Sequence, residues 1–320
     1  MYRRFAVLGA LFVVAFAAVL LGRPASEGLA TTSGTNGLIV YAKEVSGHFQ
    51  LFTIRPDGTG ARQITRVAGD AVHPDWSPDG SRIVFEFDRQ HGCSVAIVNA
   101  DGSGLTDLTG TRNGCENQPA FTPDGQRVVF VRFDDKTEVE SIQSMNLSGA
   151  DLRLITGRKG TGRTDPNVSP DGKTITFVRL KKDHELQALF AVNSDGSGLR
   201  RLTPYRWEVA IKHDWAPNGR RIALTTNADF VRPRASANLV TIRPDGSGLK
   251  RLTNFTGGPQ NGKNAFAGSY SPDGKQIVVR IEQRDKGGLA VIGRDGRNLR
   301  MLTKASKSKP RFIDWGTHAP

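Results

Sequence analysis

Short stretches of alternating apolar and polar residues run through residues 38–315 of the chain. Between 277 and 281, Ile277 and Val279 alternate with Val278 and Arg280. A period of two is typical of a β-strand whose two faces have different surroundings. The stretches are rich in Val, Ile and Phe, so the pattern predicts many short strands joined by tight turns.

One turn sequence recurs before these strands. Pro presets φ for a type I turn, Asp can bond nearby backbone, and Gly accepts the left-handed conformation that follows. The chain therefore reverses at each copy. The copies occupy residues 76–80, 121–125, 168–172, 270–274 and, as Pro-Asn-Gly, 215–219.

A second turn alternates with the first. Its dipeptides are Asp-Gly at 57–58, 101–102, 195–196, 245–246 and 295–296, and Ser-Gly at 148–149. Each Gly is followed seven residues later by a threonine: Thr65, Thr109, Thr156, Thr203, Thr253 and Thr303. Two hairpins in every repeat predict units of four antiparallel strands.

The repeat length of about 40–50 residues predicts a β-propeller. The chain is thus expected to be all-β, with six blades of four antiparallel strands. After Thr303 a new first strand begins at 310–315, and segments 37–41, 51–54 and 62–65 supply the second, third and fourth strands. Pairing of the N-terminal strands with the C-terminal strand would close the ring and leave no open edge. An open β-solenoid is the alternative, but it would not need this complementary splitting.

The repeated segments resemble the TolB-like β-propeller family. The resemblance rests on Trp-Ser-Pro-Asp-Gly at 76–80 and its relatives, and on Asp-Gly-Ser-Gly-Leu-x-x-Leu-Thr at 195–203 and 245–253. It covers the chain from about residue 37 and implies a propeller over 37–320. TolB itself carries an α/β domain ahead of its propeller, whereas only a short leader precedes the first strand here. The resemblance therefore carries over the fold, without that domain's role in the Tol–Pal envelope system.

The first 30 residues predict export. Arg3 and Arg4 precede an apolar stretch over 5–21, and Gly28-x-Ala30 ends the leader. This arrangement is typical of a secretory signal cleaved after Ala30, with an uncleaved N-terminal membrane anchor as the alternative. Residues 31–36 are expected to form a linker. The predicted location is periplasmic or otherwise extracytoplasmic.

The two cysteines, Cys93 and Cys115, agree with export. The repeat map places both in one blade region, Cys93 before the third strand and Cys115 after the fourth. In an oxidising compartment we expect a disulfide between them, with two independent thiols as the alternative. Neither has a second Cys or His at metal-ligand spacing, so no metal site is expected here.

The net charge of +13 is spread over basic pairs in several blades. Spread pairs indicate a solvated basic surface rather than a dedicated binding stripe. Because export disfavours nucleic acid, the expected partner is a protein or an anionic envelope polymer. Membrane contact is expected only through an uncleaved anchor, and the protein is expected to be a monomer.

The two faces of the ring should differ. One face, the short-turn face, carries the Pro-Asp-Gly and Asp-Gly turns; the other, the long-loop face, carries variable connections at 134–141, 180–187, 227–237 and 254–266. Variable loops on a rigid fold are common recognition sites, so we assign binding to the long-loop face and the adjoining channel mouth. The candidate ligand-binding residues are His73, Asp75, Gln118, Asp165, His213, Asp214, Asn264 and Lys309.

Each candidate also has a purely structural interpretation, because polar groups at a water-filled mouth need no ligand and Asp or Asn can serve a local turn. Alignment on the following Trp places His73 and His213 one position out of register, so a shared metal site is not expected. The aromatic residues at the turns are expected to pack between blades: Trp76, Phe121, Tyr270 and Trp315.

The sequence contains no catalytic motif such as Gly-x-Ser-x-Gly or His-Glu-x-x-His. Catalytic residues, metal and cofactor are therefore not predicted. The favoured function is an exported, non-catalytic binding module for a protein or an envelope polymer. The alternative is a channel-site hydrolase or lyase acting on a peptide or carbohydrate, because such sites draw single residues from different blades and leave no local motif.

Overall fold

The computed structural model describes residues 34–90, 92–110, 114–181, 186–226 and 236–318. Within these ranges the chain forms six antiparallel sheets of four strands each. They are arranged as a six-bladed β-propeller, as the repeats predict. The expected signal peptide or anchor at 1–30 and the first half of the linker, 31–33, lie outside the described residues.

The blades follow one another along the chain. The strands are β1 (Asn36–Val45), β2 (His48–Ile54) and β3 (Arg62–Gln63); blade 2, β4 (Asp70–Trp76), β5 (Arg82–Arg89), β6 (Gly92–Asn99) and β7 (Thr106–Asp107); blade 3, β8 (Cys115–Phe121), β9 (Arg127–Asp134), β10 (Val139–Asn146) and β11 (Arg153–Lys159); blade 4, β12 (Arg163–Val168), β13 (Thr174–Leu180), β14 (Gln187–Asn193) and β15 (Arg200–Arg201); blade 5, β16 (Val209–Trp215), β17 (Ile222–Thr226), β18 (Asn238–Ile242) and β19 (Lys250–Arg251); blade 6, β20 (Lys263–Tyr270), β21 (Gln276–Gln283), β22 (Lys286–Gly293) and β23 (Arg300–Met301); and β24 (Arg311–Thr317), which completes blade 1 with β1–β3. A 3-10 helix spans Tyr205–Trp207, and α1 spans Gly258–Asn261.

Both ends of the chain build blade 1. Strand β1 pairs with β24, with Ile39 opposite Trp315 and Val40 opposite Asp314. The predicted closure by terminal strands is therefore confirmed. The first strands of successive blades contact one another around the ring and line its axis.

The repeated turn has a repeated hydrogen-bond pattern. In the first copy the Ser77 hydroxyl donates to Asp79 Oδ1 at 2.6 Å, and the N–H of Ser81 donates to the same oxygen at 3.0 Å. Gly80 adopts φ 68° and closes the turn by donating its N–H to the Ser77 carbonyl. These local bonds account for the recurrence of Ser/Thr-Pro-Asp-Gly without any ligand.

The core consists of apolar layers between neighbouring blades. Trp76, 5% exposed, packs with Val40 and Leu51 of blade 1 and with Phe85 of its own blade. Phe121, Tyr270 and Trp315 are buried in equivalent layers. The prediction that these aromatic residues pack between blades is confirmed.

The outer strand is longer in blade 3 than elsewhere. It has two residues in the other blades and seven in β11. In blades with a two-residue outer strand, the threonine that follows the Asp-Gly turn accepts a hydrogen bond from a backbone N–H of the third strand. Thr65 Oγ1, for example, accepts the N–H of Leu51 at 2.8 Å. In blade 3, Thr156 instead pairs with Ile142 as part of the ladder.

The disulfide between Cys93 and Cys115 is present, with the two Cα atoms 4.7 Å apart. Its placement differs from the prediction. Cys93 lies within β6 of blade 2, and Cys115 is the first residue of β8 in blade 3. Because β7 is only two residues long, the chain has already crossed to the next blade at Cys115. The bridge therefore joins neighbouring blades.

The connections of the long-loop face are partly described. The loop expected at 134–141 is shorter, because β9 and β10 pair as far as Asp134 and Val139. The connection at 254–266 contains α1, while 182–185 and 227–235 lie outside the described residues. No helix of the described residues is long and apolar enough to cross a membrane.

Candidate functional site

The strands that line the axis are interrupted by bulges at the predicted site. His73, Gln118 and Asp165 adopt positive φ angles of 48°, 50° and 53°. The ladders to the second strands shift register at these three places. A bulge redirects a side chain, so these polar residues leave the regular alternation of the strand.

Deeper in the channel, the axis is lined by the residue before Trp76 and by the residue at the equivalent repeat position of every other blade. The positions are occupied by Asp75, Ala120, Asn167, Asp214, Ser269 and Asp314. The cavity they enclose has a volume of only about 20 Å³. That volume holds about one water molecule. The axial channel is therefore closed to a substrate at this depth.

The three carboxylates of this level join neighbouring blades. Asp75 Oδ2 accepts the N–H of Phe121 at 2.8 Å, and Asp214 Oδ2 accepts that of Tyr270 at 2.7 Å. Asp314 Oδ2 accepts the N–H of Trp76 at 2.9 Å across the closure of the ring. Each bond satisfies a buried backbone donor of the next blade, which is a structural role.

The bulge residues make a second set of links between blades. Gln118 Oε1 accepts the N–H of Asp165 at 2.6 Å, and Asp165 Oδ2 accepts the N–H of His213 at 3.0 Å. His73 Nδ1 lies 2.7 Å from Glu86 Oε2, whereas His213 Nδ1 lies 2.9 Å from Asp165 Oδ2. The two histidines thus have different carboxylate partners.

One cation, Lys212, lies among the channel carboxylates. Burial alone would lower the pKa of Lys212, but Asp165, Asp314, Asp75 and Asp214 outweigh it and hold that pKa above its ordinary value. Lys212 therefore stays protonated at neutral pH. Its side chain is half-buried, since part of it faces the channel.

The carboxyl groups respond differently to this environment. Burial, followed by the negative charge of Asp314, raises the pKa of Asp214 to about 7, against the opposing effect of Lys212. The same two causes raise the pKa of Asp75. Burial acts on Asp165 too, but its bond from His213 and the charge of Lys212 outweigh burial and lower its pKa. Different neighbours thus separate chemically identical groups.

Not all predicted site residues reach the channel. Asp75 and Asp214 line the channel, and His73, Gln118 and Asp165 lie at the bulges, whereas three others have local roles. His213 is fully buried between blades with Nε2 2.8 Å from Thr176 Oγ1; Asn264 Oδ1 accepts the N–H of Ala237 at 2.9 Å; and Lys309 Nζ lies 3.0 Å from Glu282 Oε2.

The site prediction missed Lys212 and Asp314. Asp314 occupies the same position before Trp315 as Asp75 does before Trp76, so alignment of the repeats contained its signal. Lys212 stands three residues before Trp215, the position at which His73 stands before Trp76. Its role depends on carboxylates from other blades, which no local pattern shows.

The channel does not provide a compact set of metal ligands. Among the described residues, three donor atoms of acidic, His or Cys side chains come within 4.8 Å of one another at Glu86, Asp88 and Cys93. The sulfur of Cys93 is bonded to Cys115, so it is not a thiolate ligand. The channel carboxylates do not form such a group among the described residues.

Comparison with known proteins agrees with this architecture. The family model of the TolB beta propeller domain matches residues 32–212, more than half of the chain. The chain belongs to this family. It is 34% identical over 84 residues to the Tol-Pal system protein TolB of Geobacter sulfurreducens, a segment covering 26% of this chain and 19% of that relative. The matches cover well under half the length of the first curated relatives.

Solved structures share the fold of this TolB-family propeller at low identity. TolB from Acinetobacter baumannii superposes with a TM-score of 0.71 and 19% identity, over 88% of this chain and 67% of its own. An oligogalacturonate lyase from Vibrio parahaemolyticus gives 0.55 and 13%, over 87% of this chain and 78% of its own. Another oligogalacturonate lyase was solved in complex with manganese. At such identities the likeness establishes the fold alone.

Proposed function

We propose that this protein is an exported, non-catalytic propeller that binds a protein or an anionic polymer of the cell envelope. One observation carries the proposal: Asp75, Asp214 and Asp314 each accept a main-chain N–H from the next blade. The acidic groups on the axis thus hold the ring together around a cavity of about 20 Å³. We therefore place recognition of the partner on the outer surface of the propeller rather than deep in the channel.

The long-loop face and the channel mouth are the proposed recognition surface. Their connections project from strands that a ring of buried layers keeps rigid, an arrangement suited to binding. Lys136, in the hairpin between β9 and β10, is an exposed cation on this face. The leader at 1–30 supports export, and a relative named as a Tol-Pal system protein supports an envelope setting.

Site-specific photo-crosslinking in intact cells tests this proposal. A crosslinking residue at Lys136 should yield one discrete adduct with an envelope protein or polymer. The matched control is Gln126, an exposed residue in the turn before β9 on the short-turn face, which should yield none of that adduct. Equal adducts from both positions, or none from Lys136, would contradict binding by the long-loop face.

The alternative is a hydrolase or lyase that acts on a peptide or carbohydrate in the channel. The shared fold with oligogalacturonate lyases, one of them solved in complex with manganese, supports it. Elemental analysis of protein purified without chelators separates the two functions. A stoichiometric divalent metal that is lost in Asp75→Asn would favour the enzyme over the binding module.

A further inference from the structure

A basic cleft opens between blades 5 and 6 on the short-turn face. Its volume is about 410 Å³. Five cationic side chains line it, and Asp295 is the acidic residue among the lining. The cations are Arg220, Arg221, Arg243, Lys250 and Arg294.

Among the described residues, the carboxylates near these cations do not form ion pairs with them, although the charge of Arg243 adds to the bonds from Ser247 that lower the pKa of Asp245. No ion pair within 4.0 Å joins any of the five to an acidic group of the described residues. Arg221 instead donates from Nη1 to the Gly248 carbonyl at 2.8 Å and from Nε to Thr241 Oγ1 at 3.2 Å. Asp295 accepts the N–H of Arg297 at 2.9 Å, within its own turn.

Two of the guanidinium groups lie side by side. A Cβ atom built on Gly248 would be 3.2 Å from Cζ of Arg243 and 3.3 Å from Nη1 of Arg221. Like charges this close repel each other, so an anion between them is favoured. The nearby Asp245 is exposed and accepts the N–H of Ser247 at 2.8 Å, again within its turn.

The equivalent cleft between blades 3 and 4 has a carboxylate that the basic cleft lacks. There Arg127, the counterpart of Arg221, forms a 2.5 Å ion pair with Asp151. Asp151 stands two residues after Gly149, and Gly248 stands two residues after Gly246. Glycine is the usual residue at this position, as at Gly60, Gly104 and Gly198, so blade 5 lacks the neutralising carboxylate that blade 3 alone has. That cleft also contains three further acidic residues, Asp124, Asp171 and Asp195.

Two departures from the repeat fall in the basic cleft. Asn218 replaces the Asp of the Pro-Asp-Gly turn, and Tyr270 replaces the Trp, Phe or Val found at the same position in other blades. The first removes a negative charge, and the second adds a hydroxyl on the cleft floor. These two changes, at a cleft lined by five cations, thus favour an oxyanion.

We propose that this cleft binds a phosphate group. A phosphate group, as monoester or diester, carries one to two negative charges and at least two non-bridging acceptor oxygens, which suit several convergent Arg forks. The cleft opens opposite the long-loop face, so the inference does not depend on the proposed function. The phosphate can belong to a soluble polymer, a lipid headgroup or free phosphate.

A pair of substitutions at one residue tests the proposal. Gly248→Asp supplies the missing carboxylate, and Gly248→Asn is the uncharged control of nearly equal size. Both fit the left-handed backbone, because Asp151 and Asn298 adopt φ 52° and 57° at the same repeat position and Gly248 adopts 64°. Calorimetric titration of the full chain at low ionic strength uses three probes: inorganic phosphate, a glycerol phosphate polymer and vesicles containing phosphatidylglycerol.

The expected result is saturable binding of at least one probe, which Gly248→Asp weakens about five- to tenfold and Gly248→Asn leaves within about twofold. Binding of phosphate alone, of the polymer or of vesicles alone identifies the source of the group. Failure of all three probes to bind overturns the proposal. Equal weakening by Asp and Asn also overturns it, because the effect would then be steric.

Discussion

The axial channel and the cleft between blades 5 and 6 both concentrate charge, but they do so in opposite ways. In the channel, buried carboxylates surround Lys212 and bond to the backbone of the next blade. In the cleft, five cations line the surface, and none forms an ion pair with an acidic group of the described residues. Burial makes each channel charge depend on its neighbours, whereas solvent makes each cleft charge nearly independent.

The comparison indicates at which positions the copies of a repeat can diverge and acquire a binding function. Altering a charge that joins two blades changes stability strongly, in either direction, because its neighbours are buried with it. A charge on the short-turn face costs little to alter, so the copies can diverge there. Two equivalent arginines give an example: Arg127 forms an ion pair with Asp151, whereas Arg221 donates to the Gly248 carbonyl.

The largest expected effect follows removal of the channel cation. Lys212→Met should lower the free energy of unfolding by about 3–5 kcal/mol, because it leaves four carboxylates without their shared cation. Denaturant unfolding followed by tryptophan fluorescence measures the loss. The matched control in the cleft is Arg220→Met, for which a change within about 0.5 kcal/mol is expected.

The two variants should also separate in phosphate binding. Folded Lys212→Met should bind phosphate as the unmodified protein does, and Arg220→Met should bind it more weakly. If both substitutions lowered stability equally, the contrast between channel and cleft would not hold.

The pH dependence of stability provides the second test. The pKa of Asp214 is raised from 3.8 to about 7 in the folded protein, so the folded state holds this proton more tightly than the unfolded state. The associated stability is present below about pH 4 and is lost as the pH rises through 7. Asp214→Asn removes this contribution. The variant should therefore gain up to roughly 4 kcal/mol relative to the unmodified protein between pH 4 and 7.

Unfolding curves of the two proteins at several pH values measure that difference. Asp245→Asn, in the turn beside the basic cleft, is the control. Bonds from Ser247 lower the pKa of Asp245, so this carboxylate is ionised in both states above about pH 5, and the difference should not depend on pH from there to 7. A flat difference for Asp214→Asn would mean that the carboxyl is ionised throughout and that Lys212 compensates its burial.

Much of this architecture could be predicted from the repeat. The Pro-Asp-Gly turns recur because Ser77, Asp79 and Gly80 satisfy one another locally, so each copy carries its own structural information. The closure by β24 followed from the same reasoning applied to the two ends. Local hydrogen bonds and strand periodicity leave a signal in sequence wherever their partners are neighbours along the chain.

The candidate sites could be predicted less well, because their partners lie far apart in sequence. Asp314 bonds to Trp76 across 238 residues. The Cys93–Cys115 pair was found, but its assignment to one blade failed because the outer strand β7 is so short. The fold, rather than the repeat pattern, shows that Gly248 and Asp151 lie beside equivalent arginines, Arg221 and Arg127.

The smallest expected effect concerns the turn at 215–219, which has Asn218 where the other copies have Asp. Asn218→Asp restores the residue found in the other Pro-Asp-Gly turns, and the new carboxylate can keep the bond that Asn218 Oδ1 accepts from the Arg220 N–H at 3.0 Å. Stability should therefore change by no more than about 0.5 kcal/mol. Phosphate affinity should fall about two- to threefold at low salt, because one negative charge is added at the rim of the cleft.

High salt should reduce that difference, since exposed charges are screened. The reverse substitution in blade 2, Asp79→Asn, changes the same turn position away from the cleft and should leave phosphate affinity unchanged. If Asp79→Asn raised the affinity as much as Asn218→Asp lowers it, binding would depend on the net charge of the protein rather than on this cleft. A response confined to position 218 would show that the five copies of this turn differ in what they bind.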